Sequence, residues 1–180
     1  MVLRGERCIV RPWRARDAES LVRHANDIEV ARQLRDRFPH PYSPSDARAF
    51  LAQVRAGERE ERSSFAIEVD GEAAGGVGFS VGADVERYSA EIGYWLGRRY
   101  WGRGIATEAV GMVTRHLFDD WNLLRVFAVP FPENVASVRV LEKTGFVREG
   151  VLRSACVKYG QPRDQLLYAR VNDRWRGDRS

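Results

Sequence analysis

The chain has few of the residues that build metal centres and disulfide frameworks. Its 180 residues include 2 cysteines, Cys8 and Cys156, far apart in sequence, and 3 histidines. That is too small a ligand set for a zinc site, so no metal is expected. Two distant cysteines suit a reducing cytoplasm better than a stapled secreted scaffold. Long apolar runs are missing as well, and nothing approaches the ~18 residues of a membrane span. The opening Met1-Val2-Leu3-Arg4-Gly5-Glu6-Arg7 meets charge too early to hold a signal peptide's apolar core. The expectation is a cytoplasmic protein with no membrane partner. Lysine is nearly absent: Lys143 and Lys158 stand alone, and the rest of the 29 basic residues are arginine. They face 25 acidic residues spread along the whole chain, for a net charge of +4. Dedicated nucleic-acid binding needs basic charge gathered on one face, and this balance argues against it.

What is present is a globular mixture, 44% hydrophobic and 30% charged. The length fits one domain, read here as residues 1–180 with a core at about 8–172. Cys8 to Trp13 reads as a first strand, with Pro12 near its exit. From Asp17 the apolar spacing turns helical through Ala18, Leu21, Val22 and Ala25, and Ile28, Ala31 and Leu34 predict a second short helix. The segment Asp36 to Pro44 carries Pro39, Pro41 and Pro44 and cannot be helix interior. Ser43 is a good N-cap with Pro44 at the first helical position, and the helix that follows runs to Gly57.

Alternating strands at Ser64–Val69 and Ala73–Val81 flank an Asp70-Gly71 hairpin turn, and Ser89–Leu96 is a third strand. A glycine-punctuated loop then opens a helix from about Gly104 to Phe118. Leu124–Val129 is a buried-looking strand. Asn134–Thr144 is a helix stopped by Gly145. Val147–Lys158 and Gln165–Val171 close the chain as a hairpin around Tyr159-Gly160-Gln161-Pro162. The fold class is therefore α/β (α+β): one mixed layer structure of about seven strands with helices.

Arg99-Tyr100-Trp101-Gly102-Arg103-Gly104-Ile105-Ala106-Thr107 lies between a strand and a helix. Two glycines let backbone approach a ligand, and the helix start points unpaired N–H groups one way, which suits a phosphate or pyrophosphate. A plain turn that uses glycine for steric reasons is the competing reading. The segment is neither a Walker A loop, which needs Lys and Ser/Thr after its last glycine, nor a dinucleotide fingerprint, whose third glycine is Thr107 here.

Arg99-x-x-Gly102-x-Gly104, preceded by Glu91-Ile92-Gly93-Tyr94-Trp95-Leu96 and followed by Ile105 to Ala109, resembles the acetyl-CoA motif of the GNAT N-acetyltransferase family. Asn134 to Phe146 looks like the family's next block, and the tail from Glu149 to Tyr168 resembles its RimJ/RimL-like branch. The resemblance implies a single-domain GNAT-like fold, a central mixed, mostly antiparallel twisted sheet of about seven strands flanked by helices, with acetyl-CoA as cofactor and transfer of an acetyl group to a primary amine. It places Trp95 and Leu96 at the thioester and pantetheine arm through their backbone. It places the pyrophosphate on the amides of Gly102, Arg103, Gly104, Ile105, Ala106 and Thr107, with the side chains of Arg99 and Arg103 nearby; a surface salt bridge is the competing reading of Arg103. Asn134 matches the position that bonds the pantetheine arm.

Such chemistry needs a neutral amine, a polarised carbonyl and a proton for the departing sulfur. Glu91 is the candidate base, and a solvent-facing strand residue is its competing reading. Glu108, on a first helical turn, suits the helix dipole instead. The tyrosine that many family members carry seven residues after the asparagine is Leu141 here; the RimJ/RimL-like resemblance implies Ser137, three after Asn134, as the acid, with a helix-start serine bonding its own backbone as the competing reading. Phe38, Tyr42 and Tyr159 are candidate walls of the acceptor site, with satellite core as the alternative. His24 and His116 read as helix-surface residues.

At pH 7 an α-amine of pKa ~8 is about a tenth neutral, whereas a lysine of pKa ~10.4 is neutral in less than about one molecule in a thousand. An α-amine therefore needs less help from a base, and the leading acceptor that the RimJ/RimL-like resemblance implies is a protein N-terminal α-amine. A small-molecule amine (polyamine, amino acid, aminosugar or antibiotic) is the alternative, and a non-catalytic acyl-CoA-binding module is the third reading. Oligomeric state is left open, a homodimer included.

Overall fold

Asp70 and Gly71 both hold positive φ, 51° and 84°, as a two-residue hairpin joining right-twisted strands requires. They connect β3 (Arg62–Val69) to β4 (Glu72–Val81). The computed structural model describes residues 1–56 and 62–177, Arg62 through its backbone alone. On one side of this hairpin lie β2 (Ile9–Pro12) and then β1 (Leu3–Arg4). On the other lie β5 (Ser89–Leu96), β6 (Arg125–Ala128), β8 (Gln161–Val171) and, at the edge, β7 (Val147–Lys158). All neighbours are antiparallel except β5 and β6. Among the described residues the sheet has eight strands, one more than the sequence predicts. The addition is β1, whose two residues are too few for alternation to register.

Among the described residues, four of the five α-helices cover the two faces. On the first, α4 (Ile105–Asp119) buries Ile105, Ala109, Val110, Val113 and Leu117 along one stripe, and α5 (Val135–Lys143) adds Leu141. These pack with Val77, Ile92 and Val126. On the second face, α1 (Ala18–Ala25) and α3 (Pro44–Ala56) set Leu21, Ala25, Ala47 and Leu51 around Trp13 and Ala66. The pleat of β3 sends Phe65 and Ile67 to the first core and Ala66 to the second. The short α2 (Ile28–Ala31) ends before Leu34, which the sequence places in the same helix. The expected stop of α3 at Gly57 falls outside the described residues.

Arg11, 2% exposed, ties β2 to the turn before α1. It grips Asp17 through both terminal nitrogens at 2.7 and 2.9 Å and pairs with Glu68 through Nε. Removing the guanidinium would strand these carboxylates at a cost on the order of 3–5 kcal/mol.

The closing hairpin turns more tightly than expected. Tyr159 and Gly160, at φ 51° and 75°, make the whole turn, so Gln161 and Pro162 already pair with Lys158 and Val157. Among the described residues no helix is long and apolar enough to cross a membrane.

Candidate active site

The parallel pairing of β5 and β6 runs only from Ser89 opposite Arg125 to Glu91 opposite Phe127. Gly82 donates to the Ser89 carbonyl and Gly97 to the Ala74 carbonyl, both at 2.8 Å. Odd-numbered residues of β5 therefore face β4; the Glu91–Phe127 pair takes up the Ile92 amide, and the Ile92 carbonyl with the amides and carbonyls of Tyr94 and Leu96 face the gap that opens beyond it. A strand edge with unpaired amides and carbonyls fits an extended, amide-bearing ligand. The Leu96 carbonyl takes a bond of 2.7 Å from the Trp101 indole. Trp95 belongs to the opposite set. Its backbone lies in the ladder opposite Gly76, and its ring meets Phe38 on the second face at 5.3 Å.

At the end of the gap sits the glycine loop. Gly102 and Gly104 hold φ of 74° and 75°, and Gly104 is the N-cap of α4. A Cβ on Gly102 would meet open space, whereas one on Gly104 would approach Arg7 Nε at 3.4 Å. Positive φ explains both glycines, and it turns the loop so that Ile105, Ala106 and Thr107 open α4 with free amides. These features fit a pyrophosphate-bearing cofactor. Arg99 stacks on Tyr100 at 4.7 Å, and Arg103 lies over the same ring at 5.6 Å.

Two carboxylates brace this half. Glu72 Oε1 accepts from the Tyr100 hydroxyl at 2.6 Å and bonds His24 Nε2 at 2.9 Å, while Oε2 accepts from Arg23 at 2.8 Å. The Tyr100 bond, with His24 and Arg99 beside it, holds Glu72 below the usual carboxylate range against its partial burial. His24 is buried, not on the surface as the sequence suggests. A Cβ on Gly97 would lie 2.8 Å from the Cβ of His24, so α1 packs directly under the strand end. His116 is also partly covered and meets Asp120 at 2.6 Å. Glu108 does more than face a dipole. It accepts the amides of Glu6, Arg7 and Cys8 at 3.0, 2.8 and 3.0 Å, tethering the N-terminal segment to α4. Burial opposes its charge, the backbone donors outweigh it, and its pKa falls. Burial and the neighbouring Glu108 push the Cys8 thiol up to about 12, which leaves it unreactive.

Across the gap, Asn134 caps α5, its Oδ1 accepting from the Ser137 amide at 3.1 Å. That leaves the Asn134 NH2 to offer outward. Ser137 Oγ lies 2.8 Å from the Tyr94 hydroxyl, a partner the sequence reading missed.

The second face carries Glu91, which pairs with Arg35 from the segment after α2. Between Glu91 and Trp95, a Cβ on Gly93 would meet open space. Phe38 packs on Trp95 and on Tyr42. Tyr42 itself is 4% exposed and belongs to the second core, so it backs the wall without lining it. Tyr159 is exposed at the hairpin tip. Its neighbour Lys158 is buried and reaches Asp36 at 2.7 Å, which draws the β7–β8 hairpin against the Arg35 segment.

Residues 7–147 match the Acetyltransferase (GNAT) domain. The chain belongs to the GNAT acetyltransferase family. It is 33% identical over 180 residues to the uncharacterized N-acetyltransferase YoaA of Bacillus subtilis, with 96% of this chain and 98% of that one covered. Among solved structures it resembles Mycobacterium smegmatis RimJ in complex with CoA-disulfide, at TM-score 0.83 and 31% identity over 91% of this chain and 81% of that one. It also resembles the microcin C7 self-immunity acetyltransferase MccE in complex with acetyl-CoA and AMP, at TM-score 0.83 and 25% identity over 93% and 94% of the two chains. The chain is therefore an acetyl-CoA-dependent N-acetyltransferase, an acyltransferase of the single α/β GNAT fold.

Proposed function

We propose that this GNAT enzyme acetylates the α-amine of protein N-termini in the cytoplasm, and that residues 1–180 act as one catalytic domain. Bound acetyl-CoA supplies an acetyl group activated as a thioester. The amides from Gly102 to Thr107 hold the pyrophosphate, with Arg99 and Arg103 alongside. Ile92, Tyr94 and Leu96 turn backbone groups to the pantetheine arm, and Asn134 offers its NH2 from the far side. Leu96 therefore keeps the role the resemblance implies, while Trp95 joins Phe38 in the acceptor wall. Glu91 accepts the amine proton, directly or through one water. Ser137 Oγ holds a proton at the opposite side of the gap. Tyr159 flanks the acceptor entrance.

The observation that carries the acceptor class is the Arg35–Glu91 pair. The proposed base already has a cation beside it, so a polyamine or lysine entering as a second cation meets Arg35. An α-amine, about half freed of its proton near pH 8, enters as a neutral group far more often than a lysine and needs less help. The likeness to RimJ supports the same reading. Thiol release from acetyl-CoA, followed with N-terminal peptides beside polyamines, amino acids and aminosugars, tests it. Selective turnover of peptides is expected. Turnover confined to small amines would overturn the acceptor, and acetyl-CoA binding without turnover of either would overturn the activity.

A further inference from the structure

Tyr94 crosses from β5 to the first turn of α5. Its hydroxyl lies 2.8 Å from Ser137 Oγ and 3.1 Å from the Ser137 carbonyl oxygen. One phenolic proton cannot serve both acceptors fully. Donated to the carbonyl, it leaves the serine hydroxyl to point back at the Tyr94 oxygen. Donated to Oγ, it frees the serine's own proton to face the gap between β5 and β6. The shorter contact is the one to Oγ. Both partners are held from behind: the Ser137 amide by Asn134, and the Tyr94 ring by packing on the first core. Burial pushes the phenol well above its ordinary range, so Tyr94 stays protonated and able to donate wherever the enzyme works.

We infer that Tyr94 is a positioning residue that donates to Ser137 Oγ and thereby aims the serine proton into the gap. The inference rests on the proposed role of Ser137 and adds the group that orients it. In this chain Leu141 stands seven residues after Asn134, and Tyr94 brings a tyrosine hydroxyl to Ser137 from the opposite wall. A donor to Oγ also polarises the serine hydroxyl, which makes it a better donor in turn.

The test is a double-mutant cycle, Tyr94→Phe, Ser137→Ala and both together, on whichever acceptor turns over. Tyr94→Phe should lower kcat about tenfold, the worth of one oriented hydrogen bond, with KM for acetyl-CoA unchanged. The double variant should be no slower than Ser137→Ala alone, because the two act as a unit. A second readout needs no cofactor. With the tyrosines labelled at Cζ and Tyr94→Phe assigning the signal, Ser137→Ala should move the Tyr94 resonance in the free protein. Independent, multiplying losses, wild-type kcat in Tyr94→Phe, or an unmoved resonance would overturn the inference while leaving Ser137 in place. Wild-type kcat in Ser137→Ala would overturn both.

Discussion

The two halves of the site are built from different materials. The cofactor half is backbone: two positive-φ glycines, the free amides of a helix start and the open edge of β5. The acceptor half is side chain: Arg35 on Glu91, Phe38 on Trp95, and Lys158 on Asp36, each pair joined across tens of residues of sequence. Backbone recognition constrains which residues can stand at a position, and side-chain recognition constrains which residues can meet. The first constraint leaves a local sequence signature and the second does not.

Substitutions that separate these materials sharpen the comparison. The largest effect is expected in the acceptor half, where Glu91→Gln should lower kcat about a hundredfold, a typical share for a general base. Acetyl-CoA affinity, measured by calorimetry, should stay as in the wild type; a parallel loss of affinity would place Glu91 in the cofactor half. Gly104→Val comes next. A branched residue at φ 75° is strained by on the order of 1–3 kcal/mol and crowds Arg7. Acetyl-CoA affinity should fall about tenfold to a hundredfold by this conversion, with the helical and sheet circular dichroism retained. Undiminished affinity would remove the loop from the cofactor half.

Glu72→Gln probes the brace beneath that loop. A carboxylate held below its ordinary pKa stabilises the fold above the unfolded value of ~4.3, and that contribution is lost as pH falls through the lower folded value. The variant should unfold at lower denaturant than the wild type at pH 7, and the gap should close below about pH 4. A gap of constant size would mean the loss is one of packing and hydrogen bonding alone. The smallest effect is expected for Arg103→Ala. If amides carry the phosphate, removing one exposed guanidinium should weaken acetyl-CoA by no more than about fivefold.

The same contrast governs what the sequence discloses. Asp70-Gly71, Gly145 and the spacing of Gly102 and Gly104 announce turns and caps because each needs a conformation that few residues accept. The strands show along the chain in their apolar patterning, except for the two residues of β1, while their order in the sheet does not. His24 reads as surface because nothing at a telling spacing in the sequence claims it; what buries it is Glu72, Tyr100 and the bare backbone of Gly97. Tyr42 reads as a site aromatic, yet it serves the core, since a loop residue's burial depends on packing partners far away in sequence. The Tyr94–Ser137 contact spans 43 residues and two element types, and no spacing rule reaches that far.

The most direct test of the whole account is to locate the acetyl group on a peptide that carries both a free α-amine and an internal lysine. After incubation with acetyl-CoA and enzyme, tandem mass spectrometry assigns the modified nitrogen. The account predicts acetylation of the α-amine with the lysine left free. Acetyl on the lysine Nζ would contradict it, because a charged amine would then have displaced Arg35 from Glu91.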